Sequence, residues 1–263
     1  MTTRTKPLTL PEHDGDVGKL GCRNASLRYH DGARETYALR DVSVELAPGR
    51  FYGIMGPSGS GKSSLLYVLS GLKQPTSGSA YFGDFLYTRA NEQQVTDLRR
   101  KRFGFVFQQP FLLPYLTALE NIVVAAPRQD AAARDKAIGL LAHLGMEGLE
   151  NKLPSQLSGG EKQRVSVVRA MMNDPEVIFA DEPTASLDHG NGHRVIDALA
   201  QWRGRGMIVV VTHDPEMLED ADEILLLRDG SLAEVQERPG AGERSAEDAA
   251  RPLETGILSR LAP

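Results

Sequence analysis

The sequence predicts an α/β fold: a phosphate-loop core with a small antiparallel β layer and an inserted α-helical segment. Three observations carry this. Gly56-Pro57-Ser58-Gly59-Ser60-Gly61-Lys62-Ser63 reads G-x-x-x-x-G-K-S, with an apolar run (51–55) before it and helically spaced apolar residues (64–69) after it. Two further apolar runs, 177–180 and 207–211, are too short for helices and end on polar residues, as buried parallel strands do. Between the apolar run 103–107 and the one at 177–180, residues from about 108 to 157 read as helical.

The loop comes first because its chemistry is the most specific. Glycines let the backbone curl so that successive N–H groups face one anion, and the following helix adds its positive end. In such a loop Lys62 reaches the β- and γ-phosphates and the Ser63 hydroxyl ligates Mg²⁺. The ordinary alternative, a Gly/Ser-rich turn that happens to precede a lysine, does not explain the flanking strand and helix.

Composition sets outer bounds. A chain of 263 residues suits one large α/β domain or one domain with a small insertion. With 41% hydrophobic and 25% charged residues it is an ordinary globular composition. A net charge of −5 gives no basic field for nucleic acid. No apolar run approaches the roughly 20 residues of a membrane span, and the N-terminus lacks a secretory pattern. Cys22 has no partner for an intrachain disulfide, which fits a reducing compartment. The expected location is therefore cytoplasmic, with any membrane contact made through a partner.

Taken in order, residues 1–20 are polar, without periodicity, and read as a loose tail. Strands are expected over 22–29 and 37–46, separated by the turn signal His30-Asp31-Gly32 and closed by Pro48-Gly49. Tyr29 offers a ring that matches a purine face, but from the residues alone a half-buried strand tyrosine serves equally. A short strand follows at 79–82, then a charged, exposed stretch at 97–101 and the strand 103–107, which ends at Gln108. Residues 109–116 are apolar but broken by Pro110 and Pro114, so they cannot form one helix. Thr117-Ala118-Leu119-Glu120 is a capping box opening a helix through Ala126, and an Ala-rich helix is expected over 128–144.

Ser158-Gly159-Gly160-Glu161 is a second capping box. Two glycines directly behind a cap bring little structural benefit unless the backbone must approach something closely, such as an anion, although an ordinary helix start is the plain alternative. Asp181 and Glu182 end the strand 177–180, where α/β sheets bind ligands, and alternation sends the two side chains different ways. A solvated turn is the competing reading. An amphipathic helix is expected over 192–202, with Trp202 as a packing residue. His213 follows the strand 207–211 at the same end of the sheet, whereas His30, His143, His189 and His193 lack such a setting and receive no role. A strand at 222–227, the hairpin signal Asp229-Gly230, and a Gly/Ala/Glu/Arg-rich tail from about 236 with a short helix near 257–261 complete the chain.

The phosphate loop, Gln108, Leu157-Ser158-Gly159-Gly160-Glu161, Asp181-Glu182, Ser186-Leu187-Asp188 and His213 occur in one fixed order. That set, from about residue 21 to 233, resembles the ATP-binding-cassette ATPases. Phe105-Val106-Phe107-Gln108, Leu112-Leu113-Pro114 and Leu116-Thr117-Ala118-Leu119-Glu120-Asn121 resemble the subgroup serving macrolide exporters and lipoprotein-releasing transporters. The resemblance implies a RecA-like phosphate-loop ATPase domain over 21–235, with the helical subdomain at about 108–157 and tails at 1–20 and 236–263. It implies ATP and Mg²⁺ as cofactors. Gly56, Pro57, Ser58, Gly59, Ser60, Gly61, Lys62, Ser63 and Ser64 would hold the phosphates, Tyr29 would stack on adenine with Tyr37 as a competitor, and Ser63, Gln108 and Asp181 would serve the metal. Glu182 would polarise the attacking water, and Gln108 and His213 would sense or contact the γ-phosphate. Ser158, Gly159, Gly160 and Glu161 would close on the ATP of a second copy, with Asp188 beside it, so a homodimer is expected. A membrane permease would dock near Phe111–Tyr115, at the cytoplasmic face of the membrane, for export or lipid/lipoprotein extraction. The same engine driving a complex that signals across the membrane without cargo is the alternative. A soluble cassette acting on ribosomes or DNA usually carries two cassettes or a long coiled coil, and a phosphate-loop kinase lacks the Ser158-Gly159-Gly160 signature.

Overall fold

The computed structural model describes residues 18–31 and 34–238. Alternating segments after residue 19 pair as a long antiparallel hairpin, β1 (Leu20–Asp31) and β2 (Arg34–Leu46). The apolar run Phe51–Met55 is β3, and the residues after the loop form α1 (Lys62–Leu69). β4 (Ser77–Phe82) pairs with β1, and β5 (Phe85–Leu86) with β4, giving the four-stranded order β2-β1-β4-β5. This is the expected antiparallel layer.

The charged stretch 97–101 is not an exposed loop. It lies in α2 (Glu92–Arg102), which buries only Val95 and therefore shows almost no apolar period. Its signal is at the N-terminus: Asn91 accepts from the Gln94 N–H, and the Gln94 side chain accepts from the Asn91 N–H. β6 (Phe103–Phe107) follows. α3 (Ala118–Val123) opens on the expected Thr117–Glu120 capping box but ends three residues early. α4 (Ala131–His143) starts three residues later than expected because Asp130 caps it.

α5 (Gly159–Met171) leads to β7 (Val177–Asp181). α6 (His189–Ala200) starts earlier than its apolar pattern suggested, on the Asp188 cap, and β8 (Met207–Val211) follows. Trp202 is buried with its Nε1–H donating to the Pro175 carbonyl at 2.9 Å, the packing role expected of it. β9 (Glu223–Arg228) and β10 (Ser231–Glu237) meet across Asp229 and Gly230, both left-handed, as a two-residue hairpin loop requires. β10 runs past residue 236, where the tail was expected, and Arg238 still donates its N–H to the Asp222 carbonyl at 2.9 Å. The turn residue Gly32, residues 1–17 and the expected helix near 257–261 lie outside the described residues.

The six-stranded sheet runs β10-β9-β3-β8-β7-β6 and is parallel except for β10. Its central strands are buried on both faces, which is why they read as continuous apolar runs. Alternation divides them cleanly. Val177, Phe179, Met207, Val209 and Val211 pack with the α1 leucines, while Ile178, Ala180, Ile208 and Val210 pack with α3, α4, α5 and α6. α1 and α5 thus lie on opposite faces of one sheet. Register lines up Phe107, Asp181, Val211 and Ile54 as a single row across four strands at their C-terminal ends. Every candidate residue that follows a strand therefore emerges on one rim.

Candidate nucleotide-binding site

The loop between β3 and α1 is built for close backbone approach. Gly56, Gly59 and Gly61 all take left-handed φ values. A side chain at Gly56 would strike the Leu227 carbonyl oxygen at 2.2 Å, and one at Gly61 the Ala38 carbonyl oxygen at 2.3 Å. The β9–β10 turn braces the loop: the Gly230 N–H donates to the Ser60 carbonyl at 3.0 Å, and the Arg40 N–H to the Gly230 carbonyl at 2.8 Å. α2, α3, α4, α5 and α6 each have a side-chain cap, but Gly61 gives α1 none. The N–H groups of its first turn are left for an anion. The buried Ser60 hydroxyl has no partner either. Lys62 is buried, its Nζ donating to the Gly56 and Pro57 carbonyls at 3.0 and 3.1 Å, so the cation lies along the curl of the loop.

Asp181 reaches this loop from β7. Its Oδ1 accepts from Ser63 Oγ at 2.8 Å and its Oδ2 from Tyr67 Oη at 2.7 Å. Glu182, one residue on, turns away: its φ is +48°, its N–H donates to the Val211 carbonyl at 2.9 Å, and its Oε2 lies 2.9 Å from His213 Nδ1. A non-glycine residue held left-handed at a strand end marks a place where side-chain aim outweighs backbone comfort. The two carboxylates point different ways, as expected, but the left-handed turn at Glu182 rather than strand alternation sets the aim of the second.

Gln108 follows Phe107 at the same rim, is exposed, and lines a small cleft with Gly159, Lys162, Gln163, Ser186 and Leu187. Ser158 caps α5 reciprocally with Glu161: the Glu161 N–H donates to Ser158 Oγ at 3.2 Å and the Ser158 N–H to Glu161 Oε2 at 2.7 Å. The glycines behind the cap divide the two readings left open by the sequence. A Cβ at Gly160 would lie 2.6 Å from Asn191 Oδ1, so this glycine serves the packing of α5 on α6. Gly159 is exposed, and a Cβ there would meet only Leu187 Cδ2 at 3.5 Å. Asp188 is exposed and caps α6 through the Asn191 N–H at 3.0 Å. The chain thus gathers Lys62, Ser63 and Asp181 together and pairs Glu182 with His213. The Ser158–Gly160 signature starts α5, whose core packing lies on the opposite sheet face from that of α1.

Tyr29 and Tyr37 are both partly exposed on the β1–β2 hairpin, in adjacent register pairs and so on opposite faces. Lys73 lies over the Tyr29 ring at 5.1 Å, whereas Arg40 and Arg28 cover Tyr37 at 4.5 and 5.6 Å. Phe111 and Tyr115 are 64% and 72% exposed, large values for aromatic rings, and they stand on a tightly held loop. Buried Asn121 bonds Leu113, Leu116 and Thr117 main-chain groups, and Arg169 on α5 donates to the Pro110 and Phe111 carbonyls at 2.6 and 2.9 Å.

Tyr67, Gln163, Asn121 and Arg169 escaped the sequence reading. Gln163 donates to the Phe107 carbonyl at 2.8 Å, tying α5 to the residue before Gln108. Tyr67, Gln163 and Arg169 act on partners far along the chain, while Asn121 bonds main-chain groups of Leu113, Leu116 and Thr117 nearby. The faint local signal was a polar residue on an otherwise apolar helix face.

Comparison with known proteins agrees with this geometry. The family model for the ABC transporter matches residues 39–185. The chain is 40% identical over 209 residues to the lipoprotein-releasing system ATP-binding protein LolD of Legionella pneumophila (strain Lens), covering 78% of this chain and 92% of that one. It is 38% identical over 239 residues to the macrolide export ATP-binding/permease protein MacB of Pectobacterium atrosepticum, covering 89% of this chain but only 37% of that longer protein. Among solved structures, a dimeric post-hydrolysis state of the ATP-binding cassette MJ0796 bound to ADP and Pi superposes with a TM-score of 0.76 at 35% identity, covering 83% of this chain and 98% of that one.

Proposed function

This chain belongs to the ABC transporter family as an ATP-binding, ATP-hydrolysing subunit, and we propose that it works as a homodimer driving a separate membrane permease in export or in lipid or lipoprotein release. The observation that carries the dimer is the sheet between α1 and α5. The core packing of α5 lies on the sheet face opposite that of α1, and in this reading a second chain's signature completes each site. The similar cassette MJ0796 is dimeric with ADP and Pi bound, which supports a dimer here. Among the described residues no helix is long and apolar enough to cross a membrane. In this reading the permease is a separate partner, met at the cytoplasmic membrane face. Exposed Phe111 and Tyr115 on their braced loop form the docking surface.

Phosphoryl transfer needs positioning and charge neutralisation more than covalent chemistry. The α1 N-terminus and Lys62 hold the phosphates, Lys62 leaving the Gly56 and Pro57 carbonyls to do so. Ser63 Oγ and the Asp181 carboxylate, 2.8 Å apart, are the hard oxygen donors that suit Mg²⁺, and with Gln108 they would hold it. When bound, that ion would supply neutralisation of phosphate charge. Glu182 takes the proton of the attacking water through its carboxylate, with His213 fixing the orientation of Oε2. Tyr29 stacks on the adenine, and Gly159 N–H of the second chain closes over the γ-phosphate.

Glu182→Gln keeps the shape and removes the base. Turnover should fall by roughly 10²- to 10⁴-fold, the usual worth of a positioned general base. Light scattering after size exclusion should show a monomer without nucleotide and a dimer with Mg-ATP. Adding Ser158→Arg should abolish the dimer while ATP binding to the monomer survives. A Glu182→Gln protein that stays monomeric at saturating Mg-ATP, with and without the permease, overturns the shared site.

A further inference from the structure

Away from the nucleotide, three ligand-type atoms converge where α6 begins. His189 and His193 stand one turn apart on the same face of α6. Glu216 arrives from the short turn Pro215–Leu218 that follows His213, its N–H held by Asp214 Oδ1 at 3.0 Å. The approach is close because α6 has a glycine there: a Cβ at Gly192 would already touch Met217 Cε at 3.3 Å. His189 Nε2 lies 2.6 Å from Glu216 Oε2 and 3.1 Å from His193 Nε2, and the three groups offer ligand atoms within 4.8 Å of one another.

Protons alone do not satisfy this cluster. His189 Nε2 carries at most one hydrogen. If it donates to Glu216, it has no lone pair to accept from His193 and no second hydrogen to give. If it accepts from His193 instead, its lone pair faces the Glu216 carboxylate at 2.6 Å. One contact is unfavourable in either state. A divalent cation at the centre takes all three lone pairs at once. Two imidazoles and one carboxylate suit Zn²⁺ and its neighbours rather than Mg²⁺. The side chains of His189 and Glu216 are 63% and 60% exposed, so water completes the coordination sphere.

We propose that His189, His193 and Glu216 bind a divalent transition-metal ion of the Zn²⁺ class, pinning the first turn of α6, next to Asp188, to the segment that leaves β8 through His213. The ion is separate from the one at Ser63 and Asp181, and it joins two of the strand-exit segments on the active rim.

The test uses the full chain after chelator treatment. Titration with Co²⁺ should give a visible d–d absorption band that saturates at one ion per chain, is erased by Zn²⁺ and resists excess Mg²⁺. Zn²⁺ should also raise the thermal unfolding temperature. His189→Ala and His193→Ala should each weaken binding by more than about 100-fold, beyond the loss caused by a merely supporting residue. Glu216→Gln should weaken it too, and His143→Ala should leave it unchanged. All three site variants should keep the metal-free protein's ATP binding, which shows that they fold. Absence of the band, or a band that survives both histidine variants and disappears in His213→Ala, overturns the proposal.

Discussion

Tyr67 Oη donates to Asp181 Oδ2 at 2.7 Å while Ser63 Oγ donates to Oδ1 at 2.8 Å, so α1 grips both oxygens of the carboxylate that ends β7. Burial and the adjacent Asp181 push the Tyr67 phenol up to about 12, so it remains a donor throughout the neutral range. Tyr67→Phe should lower kcat by about tenfold and raise the Mg²⁺ concentration needed for half-maximal turnover, with the KM for ATP little changed. Unchanged Mg²⁺ dependence would show that Ser63 alone fixes Asp181.

Lys62 is buried and is proposed to neutralise phosphate charge, so Lys62→Ala should abolish tight ATP binding, read by fluorescent-nucleotide titration. Parent-rate hydrolysis by the variant would remove the phosphate-loop assignment.

Gly160 and Gly159 differ in what surrounds them. Gly160→Ala would place a methyl 2.6 Å from Asn191 Oδ1 and should destabilise the fold by about 1–3 kcal/mol in urea unfolding. Gly159→Ala, with 3.5 Å to Leu187, should cost less. Equal losses would mean that α6 yields freely at Asn191.

The Ser158 N–H, then its hydroxyl, hold the Glu161 carboxyl below its ordinary value, and the Asn191 N–H does the same for Asp188. A depressed folded pKa stabilises the protein above the unfolded pKa, and the benefit disappears as pH falls through the folded one. Stability should therefore decline as pH drops below the ordinary carboxylate range. Glu161→Gln should flatten that decline in denaturation curves taken from neutral to acid pH.

Phe111→Ala with Tyr115→Ala should leave ATP hydrolysis by the isolated chain intact, because both rings are exposed on a loop separate from the one at 56–63. Co-purification with the permease should be lost. Retained co-purification would move the docking surface elsewhere.

What the sequence showed depended on how far apart the interacting residues stand. The phosphate loop, both S/T-x-x-E caps and the Asp229-Gly230 turn are local patterns, and each formed where expected. Buried parallel strands were readable because both faces are apolar. α2 was missed because one buried residue gives no period, although Asn91-x-x-Gln94 marked its start. Tyr67 looked like any helix residue until β7 brought Asp181 beside it. At Gly160 the sequence leaves an anion contact and an ordinary helix start side by side, and its packing against Asn191 is invisible along the chain. The His189–His193–Glu216 convergence is of the same kind, with ligands 27 residues apart.

In the proposed dimer the sheet that separates α1 from α5 also sets the kinetic order of hydrolysis. A chain that cannot complete its own site turns over only when it meets another, so dilute protein should hydrolyse ATP at a rate that rises with the square of its concentration. A permease that holds two copies side by side replaces that chance encounter with an effective concentration in the millimolar range. In that proposed assembly idle subunits would spend little ATP, and consumption would be confined to the membrane sites where two of them are gathered.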